Sequence, residues 1–165
     1  MDRKKINDTV PKPLKYLIEI LILFCVGGSA YIVIEMVSRG YSHWTMFIVG
    51  GLCFLVIGAI NNAIGWDFPV EYQCLIGAVA VTIIEFISGY IINIKLGWDV
   101  WDYSDMPFNV MGQICLPFTI LWIFMSLLAI LVDDQVRYRV FGEEVPRYYS
   151  IILKKTFTLE SKRVK

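Results

Sequence analysis

An all-α integral membrane protein, built as a bundle of four transmembrane helices, is what three features of this sequence predict. Apolar residues are in excess, they gather into four long runs, and most positive charge is confined to the two ends. Of the 165 residues, 57% are hydrophobic and 18% charged, against about 25% charged in ordinary soluble domains. The 15 basic and 15 acidic residues cancel, so no basic field exists to attract nucleic acid.

The first run, 14–37, is interrupted only by Glu19 and Glu35 once Lys15 is passed. The second, 44–65, has no charge, the third, 70–94, carries Glu71 and Glu85, and the fourth, 106–132, again has none. Each meets the roughly 20 residues needed to cross a bilayer. A cleaved leader is set aside for the first run, because its apolar character continues past Ala30 to Val37 and Glu19 would interrupt the leader's core. Gly50, Gly51 and Gly58 in the second run, and Gly77, Ala78, Ala80 and Gly89 in the third, allow close helix approach in lipid. Pro117 is expected to kink the fourth helix.

Charge sets the expected topology. Residues 1–13 form an amino-terminal tail; Arg3, Lys4, Lys5, Lys12 and Lys15 lie at that end, and eight basic residues follow Val132, whereas the connections hold only Arg39 and Lys95. Both termini are therefore expected to be cytoplasmic, with the turn 61–69 inside and the segments 38–43 and 95–105 outside. The last helix should run on into the cytoplasm and end near Gly142, leaving 142–165 as a basic tail lying on the inner surface.

An internal repeat suggests two tandem, parallel helical hairpins. Ile34-Glu35-Met36-Val37-Ser38-Arg39-Gly40-Tyr41 resembles Ile84-Glu85-Phe86-Ile87-Ser88-Gly89-Tyr90, and Gly51-Leu52-Cys53 answers more weakly to Gly112-Gln113-Ile114-Cys115. The four cysteines, Cys25, Cys53, Cys74 and Cys115, read as small buried hydrophobes rather than disulfide or zinc ligands. No phosphate-binding loop, zinc-protease, nucleophile-elbow or dinucleotide motif occurs, so neither cofactor nor metal is expected, nor is catalysis by a recognised motif.

The polar residues within or beside the spans carry what functional signal there is. Glu85 lies about 15 Å below the outer interface on a straight helix. At that depth an ionisable group must face the bundle, as a substrate, proton or cation site or as a carboxyl bonded to a neighbouring helix. Asn93 follows it at i+8 on one polar stripe. Glu35 and Arg39 have the spacing of a helical ion pair, and His43 with Trp44 follows at the interface. Asp102 sits in the connection Gly97-Trp98-Asp99-Val100-Trp101-Asp102-Tyr103-Ser104-Asp105, where aromatics suit the headgroup zone and the acids could draw a cation or a basic substrate. Asn109 and Gln113, read as i, i+4 neighbours at the outer end of the fourth span, could bond Glu85 or Glu35. The candidate lining is thus Glu35, Arg39, His43, Glu85, Asn93, Asp102, Asn109 and Gln113, all in the outer half.

The stretch from Glu35 to Phe47, with Gly50-Gly51-Leu52-Cys53-Phe54, Glu85-Phe86-Ile87-Ser88-Gly89, Trp101-Asp102-Tyr103-Ser104 and 109–115, resembles the ABC transporter permease family of bacteria called type IV or CmpB-like, over about positions 15–150. The resemblance implies a multi-pass protein of the bacterial inner membrane that partners a separate ATPase. Four spans are few for a transport path, so a permease of this size needs a homo-oligomer or another membrane subunit. Three functions follow in order: a permease or accessory permease subunit with Glu85 binding substrate or a coupling ion; an integral-membrane enzyme acting on a lipid or other membrane-embedded substrate, with Glu85 and His43 as acid and base; and a non-catalytic scaffold or sensor.

Overall fold

The computed structural model describes residues 11–65 and 67–158. Trp66, the side chains of Asn61 and Asn62, most of the expected amino-terminal tail and the last residues of the basic tail lie outside the described residues. Four helices follow in order: α1 Lys12–Arg39, α2 Trp44–Ile64, α3 Val70–Gly89 and α4 Leu116–Val136. A wider π-helical turn extends α3 over Tyr90–Lys95, and another extends α4 over Arg137–Phe141. Three helices are long and apolar enough to cross a membrane, Lys12–Arg39, Val70–Lys95 and Leu116–Phe141, while the apolar described stretch of α2, Trp44–Ile60, is shorter. The 21 residues of α2 rise about 30 Å in all.

Local chemistry explains the boundaries. Proline at Pro11 and Pro13 suits the start of α1, where a backbone donor would be orphaned in any case. Gly40, at φ 79°, ends it in the left-handed conformation that a side chain would resist, and its N–H returns to the Met36 carbonyl. Pro69 precedes α3, whose first turn is tied down by Gln73 Nε2 donating to the Phe68 carbonyl at 2.8 Å. Gly142, at φ 72°, stops the extension of α4, where the sequence placed its end.

The fourth helix differs from expectation at its start. It begins at Leu116, so 106–115 is not helical, and Pro117 lies in the first turn, initiating the helix rather than kinking it. Residues 96–115 instead form an irregular loop folded into one mouth of the bundle, burying Val100, Trp101, Gln113 and Cys115. Their apolar character reflects burial in protein, not passage through lipid. Asn109 and Gln113 consequently do not share a helix face.

The tail also differs. Arg147–Ser150 (β1) and Lys155–Thr158 (β2) pair as an antiparallel hairpin with Tyr148 opposite Phe157. Tyr148 and Ser150 turn inward while Arg147 and Tyr149 face outward, the period-2 alternation of a half-buried strand. Glu71 on α3 anchors the hairpin, accepting from the Ser150 hydroxyl and from the Ile151 and Ile152 amides. The described part of the tail is thus docked on the bundle end.

The helices pack as two antiparallel pairs, α1 on α2 and α3 on α4, with α2 against both α3 and α4; α1 touches α4 only slightly. Glycine makes the α1–α2 seam. A Cβ on Gly28 would lie 2.5 Å from the Phe47 carbonyl oxygen, and one on Gly51 would meet the Phe24 ring at 2.6 Å. Where lipid is as apolar as the core, such close van der Waals approach holds helices together better than hydrophobicity does. Gly77 gives the same room to Ser126 between α3 and α4. Cys53, Cys74 and Cys115 are buried free thiols, whereas Cys25 is exposed on the outer surface of α1.

Candidate functional site

Glu85 is the polar centre of the half of the bundle that the 96–115 loop covers. It is 2% exposed, because α3 turns it inward beside Gly89, whose missing side chain admits Gln113 and the Trp101 ring. One carboxyl oxygen accepts from the Tyr103 hydroxyl at 3.2 Å and the other from Trp122 Nε1 at 2.9 Å. Among the described residues no ion pair engages it. Burial, then the adjacent Glu85 charge, pushes the Tyr103 hydroxyl above its ordinary range, so it stays protonated and a donor. Tyr103 is stacked on Phe118 and Trp122 on Tyr31, which fixes both donors.

Asn93 and Gln113 come together beside this centre. The π turn directs Asn93 inward, where its amide donates to the Trp101 carbonyl and to Gln113 Oε1 while Oδ1 accepts from the Val100 N–H. Trp101 Nε1 donates to the Gln113 carbonyl at 3.0 Å. These bonds fold the 96–115 loop over Glu85; neither amide bonds Glu85 itself. Glu35 accepts from Arg39 and from Ser42, and Arg39 donates onward to the Val100 carbonyl at 3.1 Å. The i, i+4 pair therefore clamps α1 to the loop.

The remaining candidates stand apart. His43 bonds Thr45 and packs its ring on Trp44 and Trp98 at the rim, sharing no hydrogen-bond partner with Glu85. Asp102 is exposed and accepts from the Ser104 amide and hydroxyl, the hydroxyl first in weight, which holds its carboxyl below the usual range. Asn109 donates to the Ser104 and Met106 carbonyls and accepts from the Gly112 N–H. Both shape the loop's turn rather than line the Glu85 site.

Sequence reasoning missed the two donors: Tyr103 sat among aromatics read as suited to the headgroup zone, and Trp122 was not singled out. It also missed a cavity of about 250 Å³ between α1, α2 and α4, apolar apart from Tyr31 and walled by Gly27, Gly50, Cys53, Trp122 and Met125. Trp122, one of its lining residues, also donates to Glu85. Such an arrangement can hold an apolar group at mid-height with a polar or cationic end directed at a carboxyl. No cluster of metal-ligating side chains occurs among the described residues.

No solved structure matches the chain. A family model does, over residues 16–159, which takes in the whole bundle and the hairpin. The apolar helices make this a membrane protein, and the match makes it a member of the family described as "Putative ABC-transporter type IV".

Proposed function

We propose that the protein is a membrane permease, or an accessory permease subunit, of an ABC-type transporter, in which Glu85 binds the substrate or a coupling ion from the outer half of the bundle. Family membership supports the transporter class. The observation that carries the site is a carboxyl 2% exposed, held by two neutral donors and by no cation among the described residues. An uncompensated acid within a membrane bundle costs at least a few kcal/mol if left charged and unpartnered, which makes it a functional position by default. In this reading both termini are cytoplasmic, the membrane is the bacterial inner membrane, and ATP hydrolysis belongs to a separate subunit. That subunit engages the end carrying the hairpin.

Tagged protein extracted from native membranes in mild detergent tests the reading. A stoichiometric ATPase is expected, with hydrolysis stimulated by a transported compound and the stimulation lost in Glu85→Gln while the helical circular dichroism is kept. Recovery of a homo-oligomer alone, also after crosslinking before extraction, overturns the ATPase-coupled reading. Undiminished stimulation in the variant removes Glu85 from the site.

A further inference from the structure

The turn of the β1–β2 hairpin is built from side chains that do not suit a turn. Ile151, Ile152, Leu153 and Lys154 connect the two strands, where glycine, asparagine and aspartate are the usual residues. Lys154 takes φ 51°, in the left-handed region that favours glycine. The three apolar side chains are left uncovered, Ile151 42%, Ile152 78% and Leu153 58% exposed. Neither turn chemistry nor the protein core accounts for them.

What covers them follows from where the turn is fixed. Glu71 holds it by accepting from the Ser150 hydroxyl, from the Ile151 N–H at 3.3 Å and from the Ile152 N–H at 3.2 Å. Glu71 is the second residue of the membrane-spanning stretch Val70–Lys95. Leu75 and Val79, at i+4 and i+8 from it, are 46% and 58% exposed, so Glu71 borders the stripe that α3 turns toward lipid. Phe68 and Tyr72 bring their ring centroids to 5.9 Å at the same level, aromatics of the kind that mark a membrane–water boundary. The turn is therefore fixed at the rim of the bundle, beside lipid and at headgroup height. Its flanking charge is of one sign: residues 147–158 hold Arg147, Lys154 and Lys155 and no acid, and all three are exposed. An apolar tip with ammonium groups behind it fits an anionic lipid surface, the apolar side chains entering below the headgroups and the lysines meeting the phosphates.

We propose that the hairpin is an interfacial anchor: Ile151, Ile152 and Leu153 enter the leaflet beside α3, and Lys154 and Lys155 bind its anionic headgroups.

Nitroxide labelling of the full chain in lipid nanodiscs tests this with neither substrate nor ATPase. The label is carried by Ile152→Cys in a Cys25→Ser background, since Cys53, Cys74 and Cys115 are buried; Arg147→Cys in the same background supplies a control at the base of the hairpin. The Ile152 side chain is uncovered and the bond to Glu71 comes from its amide, so the substitution keeps the turn. In discs containing phosphatidylglycerol, the label at 152 is expected to favour collision with oxygen over a water-soluble nickel chelate severalfold more than the label at 147. That preference should fall severalfold in pure phosphatidylcholine and on adding Lys154→Gln with Lys155→Gln. Equal preference at 152 and 147 in the anionic discs puts the tip in water and overturns the proposal. A preference unmoved by lipid charge and by the lysine replacements overturns the headgroup contact. A label open to both reagents in nanodiscs but shielded from both in native membranes overturns the proposal in favour of a protein partner.

Discussion

The two ends of the bundle meet one physical problem, a carboxyl buried in an apolar assembly, in opposite ways. At the end covered by the 96–115 loop Glu85 is held by neutral donors, a phenol and an indole, under a loop pinned by amides. At the opposite end Glu19 and Asp133 share one guanidinium. Neutral donors leave the carboxyl's charge free to respond to a ligand. A guanidinium neutralises charge locally, and beside it Lys15 adds a hydrogen bond to the Phe141 carbonyl across the same junction.

That contrast orders the expected effects of substitution. Arg137→Met should be the most damaging, since it strands two buried carboxylates, a loss of about 3–5 kcal/mol. Thermal unfolding in detergent measures it, and adding Glu19→Gln should recover part of the loss; an unchanged midpoint would mean the α1–α4 junction is not held by charge. Asn93→Leu should come next, about 1–3 kcal/mol, because the Val100 amide and the Trp101 carbonyl lose a buried partner. Hydrogen exchange at the Val100 amide should accelerate, and protection equal to wild type would show the loop held by packing instead.

Trp122→Phe keeps the stacking surface and removes one donor to Glu85, for about 1 kcal/mol. An unaffected unfolding midpoint would show that the indole contributes by stacking on Tyr31 more than as a hydrogen-bond donor. Asp102→Ala should matter least. The residue is exposed and serves one turn, so the unfolding midpoint should match wild type, and a large drop would place Asp102 inside the Glu85 network after all.

Much of the fold is legible in the sequence because length and apolarity are local properties. The extents of α1, α2 and α3 with its extension follow the runs 14–37, 44–65 and 70–94 closely. The start of α4 does not follow, because residues such as Val100, Trp101 and Cys115 look alike whether they are buried by lipid or by protein. The hairpin was not legible, since Arg147-Tyr148-Tyr149-Ser150 shows no alternation of apolar and polar residues and its alternating burial arises only when Tyr148 and Ser150 are packed inward. Within the site, the inward placement of Glu85 and Asn93 was recoverable from the expense of polar groups in a span, whereas Gln113 is buried in a loop that the sequence read as the start of a span. The partners of the buried carboxyls were not recoverable, since Trp122 lies 37 positions from Glu85 and Arg137 lies 118 from Glu19.

By itself the sequence determines that this chain belongs in a membrane, roughly where its helices run, and that Glu85 cannot face lipid, because these follow from transfer free energies counted along the chain. Which donors meet Glu85, which loop covers it, and that Glu19, Asp133 and Glu143 converge on Arg137 are settled only in the tertiary structure. Hydrogen bonds and ion pairs act over a few ångströms, and only packed helices bring residues so far apart in the chain within that range.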